Sequence, residues 1–132
     1  MKIEHIGIAV KDIEASNELF EALFDEPHYK IESVESEGVL TSFFKVGQSK
    51  IELLQATNVD SPIAKFIEKK GEGIHHIAFE VKNIEAEITR LTAKGFVMIH
   101  EVPKFGADNK KIAFLHPKST NGVLVELCQD RG

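Results

Sequence analysis

A ten-residue segment near the start of the chain returns near its middle. Residues 6–15 read Ile-Gly-Ile-Ala-Val-Lys-Asp-Ile-Glu-Ala, and 71 positions later residues 77–86 read Ile-Ala-Phe-Glu-Val-Lys-Asn-Ile-Glu-Ala. Six of the ten pairs are identical and a seventh exchanges Asp for Asn. One position upstream, His5 pairs with His76. The far ends match too: Lys-Ile-Glu-Leu-Leu at 50–54 resembles Leu-Val-Glu-Leu-Cys at 124–128, now 74 positions apart. The second copy therefore carries about three extra loop residues. A unit of roughly 65 residues is small for a stable core of its own. Two copies packed side by side bury the faces that each leaves open, and a pseudo-twofold axis brings equivalent residues near it to one place.

Periodicity within each copy gives the order strand, helix, three strands. Residues 3–10 are small and β-branched, as in a strand. Asp12 stands as an N-cap, and Ile13, Leu19, Phe20, Leu23 and Phe24 recur behind it at helical spacing until Pro27. Residues 29–35, 39–46 and 50–54 read as strands, broken near Gly38 and turned at Gly47-Gln48. Ser61-Pro62 opens a connecting helix with apolar Ile63, Phe66 and Ile67, ending at Gly71. The second copy reads as strand 74–81, a helix capped by Asn83 with Ile84, Ile88 and Leu91 buried and Gly95 at its end, then strands 96–99, 111–116 and 123–128. Gly106 and residues 119–122 mark turns. The expected fold is α+β: one domain over 1–132, made of βαβββ modules at 1–58 and 73–129 with a connecting helix at 61–70.

Composition narrows the function. An apolar fraction of 42% supports an ordinary core, and a net charge of -5 argues against nucleic acid as a partner while leaving room for an anionic small ligand beside local lysines. One cysteine, Cys128, forms no intrachain disulfide and fits a reducing compartment. No apolar run approaches a membrane span, and none follows Lys2 as in a signal peptide, so a cytoplasmic protein without membrane association is expected.

The repeat also selects residues that carry chemistry. Side chains alternate across a strand, so His5 shares a face with Gly7 and Ala9, while Ile6, Ile8 and Val10 take the other. His76 goes with Ala78 and Glu80. Glu52 and Glu126 each oppose apolar neighbours in parity. A single strand histidine is usually structural, but two histidines and two glutamates at matched repeat positions make a mixed N/O donor set. Such a set suits one divalent ion, Co²⁺, Ni²⁺, Mn²⁺, Fe²⁺ or Zn²⁺, and the pattern does not choose among them. His75 has the opposite parity and pairs with Glu4 in the repeat, so it reads as peripheral; His28 and His100 lack repeat partners.

The duplicated pattern with His5, Glu52, His76 and Glu126 on first and last strands resembles the vicinal oxygen chelate superfamily, whose members form a cupped sheet around a metal with helices outside. Within it, residues 60–66, 73–78, 114–118 and 122–127 (Asp-Ser-Pro-Ile-Ala-Lys-Phe, Gly-Ile-His-His-Ile-Ala, Phe-Leu-His-Pro-Lys and Gly-Val-Leu-Val-Glu-Leu) are similar to the methylmalonyl-CoA epimerase family. The resemblance implies His5, His76 and Glu126 as ligands with Glu52 where some members have Gln, a homodimer, and Co²⁺ as favoured ion with Mn²⁺, Ni²⁺ or Zn²⁺ open. It implies interconversion of (2R)- and (2S)-methylmalonyl-CoA by α-proton transfer through a metal-stabilised enolate. Glu126 and Glu52 are then the catalytic acid–base pair. One departure stands out: Thr41 occupies a position where some epimerases have a catalytic Glu. For the acyl-CoA phosphates, Lys104, Lys110, Lys111 and Lys118 are candidates, with Gly106 and Gly122 allowing close approach. Two alternatives remain open: a glyoxalase I-type lactoylglutathione lyase, and a metal-free small-molecule binder of the same fold.

Overall fold

Each copy of the repeat folds as a strand, a helix and three further strands, in a computed structural model that describes residues 1–132. Two units separate: His5–His75, and His76–Gly132 together with Met1–Glu4.

In the first unit β1 (Lys2–Ala9) runs parallel to β4 (Ser49–Ala56), with β3 (Val39–Val46) antiparallel to β4 and β2 (Lys30–Val34) outermost. The parallel pair needs a crossover, and helix α1 (Ile13–Phe24) begins it. Asp12 caps α1, its Oδ1 accepting from the amides of Glu14 and Ala15 at 3.0 and 3.2 Å. Beneath α1 lie Val10, Ile13, Phe44 and Leu53, with Ile8, Phe20 and Phe24 against them. Leu19 and Leu23, expected on the buried stripe, are instead 66% and 68% exposed. The buried face runs through Ile13, Asn17, Phe20 and Phe24, spaced by four, three and four residues, and leaves both leucines outside. Asn17 keeps its place because Ser42 Oγ donates to its Oδ1 at 2.6 Å.

Helix α2 (Pro62–Lys70) is capped by Ser61. Its Ile63, Phe66 and Ile67 cover Ala9, Val39 and Leu54. The strand expected at 29–35 is shorter, because Glu35–Glu37 form a 3₁₀ turn into Gly38 at φ +62. A Cβ on Gly38 would also come within 3.0 Å of the Asn58 side chain.

In the second unit β5 (Gly73–Glu80) is parallel to β8 (Val125–Asp130), followed outward by β7 (Lys110–Leu115) and β6 (Lys104–Gly106). Helix α3 (Ile84–Ala93), capped by Asn83, covers Val81, Ala113, Leu115 and Leu127. Residues 96–99 form no strand; Met98 makes one bridge to Leu115, and Phe96 and Met98 serve as packing for the α3 core. Gly106 is not the turn but the end of β6. The turn follows at Asp108 and Asn109, both left-handed at φ 59 and 58. A Cβ at 106 would meet Ile112 Cδ1 at 2.9 Å, so a larger residue there would force the Ile112 side chain to shift.

The connection between the last two strands differs between the copies. Phe44 pairs with Ile51 in the first and Leu115 with Val125 in the second. The extra residues of the second copy therefore lie in the β7–β8 loop, which holds a 3₁₀ turn at Pro117–Ser119. One further duplicated contact ties each crossover helix to its sheet. The Ile13 amide donates to Gln55 Oε1 and the Ile84 amide to Gln129 Oε1, both at 2.7 Å. No helix is long and apolar enough to cross a membrane.

Candidate metal centre and active site

Strand register decides which side chains meet. In the first unit Gly7 lies beside Glu52 in the parallel β1–β4 pair, so His5 and Glu52 share a face. His5 Nδ1 stands 3.1 Å from Glu52 Oε2, and the residues are 5% and 4% exposed. In the second unit Ala78 lies beside Glu126. There His76 Nε2 stands 3.3 Å from Glu126 Oε1, each residue 5% exposed. Each unit therefore holds one buried imidazole–carboxylate pair at equivalent positions of the repeat.

A buried carboxylate is costly without compensation, and an imidazole or a cation supplies it. Two donors each ~2.1 Å from a shared ion and at right angles lie ~3 Å apart. The separations of 3.1 and 3.3 Å match that spacing, so each pair fits two adjacent corners of a divalent coordination sphere.

Each pair also faces a phenylalanine that the sequence reading did not single out. Phe43 is the cross-strand partner of Glu52, and Phe114 that of Glu126. The signal was present: the two phenylalanines are 71 positions apart, the offset of the histidines. Phe43 is fully buried, with the Tyr29 ring at 6.0 Å and Lys30 Nζ 4.5 Å above its centroid. Phe114 meets His76 edge-on at 5.6 Å. It rests against His100 at 5.8 Å, and His100 Nδ1 accepts the Phe114 amide at 3.1 Å. The register thus sets each ring on the same face of its sheet as the carboxylate opposite it.

The other histidines serve the fold. His75 turns toward α2 with its ring 5.0 Å from Phe66; burial pushes its pKa down to about 4, with Lys70 adding to the shift. His28 bonds Glu21 at 2.6 Å and thereby lowers the Glu21 pKa. Thr41 is 1% exposed and lies on the Phe43 face of β3, where its hydroxyl cannot replace a carboxylate base.

The lysines expected at the phosphates are placed unevenly. Lys110 is 6% exposed and is tied to Asp130 and, at 3.9 Å, to the buried Glu4. Lys111 shares parity with Ala113 and Leu115 on the α3 side and pairs with Glu85 at 2.6 Å. It points away from the face of His76 and Glu126. Lys104 is half-buried in β6, Lys118 is exposed in the 3₁₀ turn, and Gly122 is exposed at φ +86.

Comparison with known proteins places these pairs in context. The family model described as Glyoxalase/Bleomycin resistance protein/Dioxygenase superfamily matches residues 4–114. The mitochondrial methylmalonyl-CoA epimerase of Homo sapiens is 39% identical over 97% of this chain and 73% of that protein. The ethylmalonyl-CoA/methylmalonyl-CoA epimerase of Cereibacter sphaeroides is 40% identical over 97% of each. Among solved structures, a Streptomyces coelicolor methylmalonyl-CoA epimerase variant in complex with 2-nitronate-propionyl-CoA superposes with a TM-score of 0.95. It is 35% identical and covers 100% of this chain and 96% of that one.

Proposed function

The chain belongs to the glyoxalase/bleomycin resistance protein/dioxygenase superfamily, and from that premise we propose that it is a methylmalonyl-CoA epimerase interconverting the (2R) and (2S) thioesters. The observation that carries this reading is similarity at 39–40% identity over 97% of the chain to proteins named for that activity. The duplicated buried His–Glu pair supports it with suitable chemistry.

One divalent ion is proposed to be held by His5, Glu52, His76 and Glu126, the repeat-matched donors. Co²⁺ is the ion we favour, then Mn²⁺, Ni²⁺ and Zn²⁺. A bound ion would supply Lewis-acid stabilisation of the negative charge that develops on the thioester oxygen when the α-proton leaves. Epimerisation needs a proton acceptor on one face of the α-carbon and a donor on the other. Glu126 and Glu52, one from each copy, are assigned these roles, and Thr41 leaves no carboxylate at the third position to compete. Phe43 and Phe114 beside them exclude water from the proton path. The protein is proposed to act as a homodimer in the cytoplasm.

The test is direct. Protein reconstituted with Co²⁺ is incubated with (2R)-methylmalonyl-CoA in D₂O, and the α-hydrogen is followed by NMR beside a chelator-treated control. Deuterium incorporation with formation of the (2S) form, only with metal present, is the expected result. Protein that holds metal but exchanges no α-proton would reject the epimerase reading and favour lactoylglutathione chemistry.

A further inference from the structure

We propose that Tyr29 and His100 are positioning residues of the metal centre, each holding the phenylalanine that stands beside the donor pair of its own copy. This rests on the metal-site reading above and names what orients the ligands.

Tyr29 and His100 are 71 positions apart, the offset that separates His5 from His76 and Phe43 from Phe114. His100 has no histidine at the matching position, but it has a ring there. In the first copy the Tyr29 amide donates to the Phe43 carbonyl at 2.9 Å, and the two rings lie 6.0 Å apart. In the second the His100 amide donates to the Phe114 carbonyl at 3.4 Å, beside the Ile99 amide at 2.8 Å, and the rings lie 5.8 Å apart. Each phenylalanine is the cross-strand partner of its copy's glutamate. Each copy therefore carries an outer ring, a phenylalanine and a buried His–Glu pair in the same order.

The residues around the outer rings differ between the copies. Positions 28, 30 and 31 are His, Lys and Ile, and their counterparts 99, 101 and 102 are Ile, Glu and Val. Lys30 opens β2, whereas Glu101 lies outside any strand, and β6 pairs with β7 only from Lys110 to Ile112. The ring pair persists although the outermost strand has moved. Ordinary sheet packing places a ring by its strand, so a ring kept without its strand points to a role at the site.

The second copy adds a hydrogen bond that ties the outer ring to the main chain. Beyond Ile112 the outer edge of β7 is met by residues 98–100, and His100 Nδ1 accepts the Phe114 amide at 3.1 Å. The Phe114 ring then meets His76 edge-on, with centroids 5.6 Å apart and planes at 85°. An imidazole flanked in this way has few ring orientations left, and a ligand already oriented by its surroundings binds a metal more tightly. Contact thus runs unbroken from His100 through Phe114 to His76.

The experiment titrates chelator-stripped protein with Co²⁺ by calorimetry and records the visible absorption of the bound ion. Wild type is compared with Tyr29→Ala, His100→Ala and His100→Asn, with His28→Ala as control. His28 also packs on a phenylalanine, Phe44 at 6.1 Å, and bonds Glu21, but Phe44 belongs to the core beneath α1. Tyr29→Ala and His100→Ala are each expected to weaken Co²⁺ binding at least about tenfold and to shift its absorption bands. His100→Asn, whose Oδ1 can accept the Phe114 amide, is expected to recover part of the loss. His28→Ala is expected to lower Tm and leave Co²⁺ affinity unchanged, which separates lost packing from lost orientation. Wild-type affinity and absorption in both ring-site alanine variants would overturn the positioning role and leave the metal reading intact, and so would an equal loss in His28→Ala. Wild-type protein that takes up no Co²⁺ would overturn both.

Discussion

The chemistry of this protein concentrates in four buried side chains, each tolerated because of what lies beside it. Glu52 and Glu126 are 4% and 5% exposed in strands of apolar residues, and each has an imidazole within 3.3 Å. Replacing Glu126 by Gln keeps shape and burial but removes the charge and the proton acceptor. The expected outcome is loss of α-proton exchange with D₂O by about 10²-fold or more, with an unchanged circular dichroism spectrum. Full retained exchange would remove Glu126 from the acid–base pair. The residues that frame these carboxylates, Phe43 and Phe114, were readable in principle as a repeated pair. Phenylalanine in a strand is ordinary until its cross-strand partner is known, and that partner is a tertiary relation.

At the scale of elements, helix starts were legible and strand ends were not. Asp12, Ser61 and Asn83 cap the helices expected of them, because capping is a contact with amides two or three residues away. The shortened β2 and the absence of a strand at residues 96–99 depend on partners remote in sequence. Gln55 and Gln129 show the same distinction. Each immediately follows a matched strand segment, yet its bond to the first amide of α1 or α3 is a tertiary contact. Gln55→Ala and Gln129→Ala each leave an amide of a crossover helix without that acceptor. Each is expected to lower stability by about 1–3 kcal/mol in urea denaturation, with similar losses in the two copies. A change near zero in both would show that water replaces the glutamine without cost.

For the whole molecule, proposed metal binding should appear as stability. An ion that binds the folded chain alone stabilises it by about 2.7 kcal/mol at a hundredfold excess over its dissociation constant. For a chain of this size, chelation is then expected to lower Tm by roughly 10 °C, reversed by adding Co²⁺. Equal melting curves with and without metal, in protein that binds no metal by elemental analysis, would favour the metal-free binder.

The sequence by itself determined the duplication, the α+β order of elements, the helix caps and the two His–Glu pairs. All of these are written as local spacing or as self-similarity along one chain. Tertiary structure decided the rest, because strand register is a relation between segments far apart. It turned Lys111 to Glu85, enclosed Lys110 with Asp130 and Glu4, and left Leu19 and Leu23 in solvent. It also set Tyr29 against Phe43 and His100 against Phe114, ring pairs that residues 14 positions apart do not reveal until each strand lies beside its neighbour.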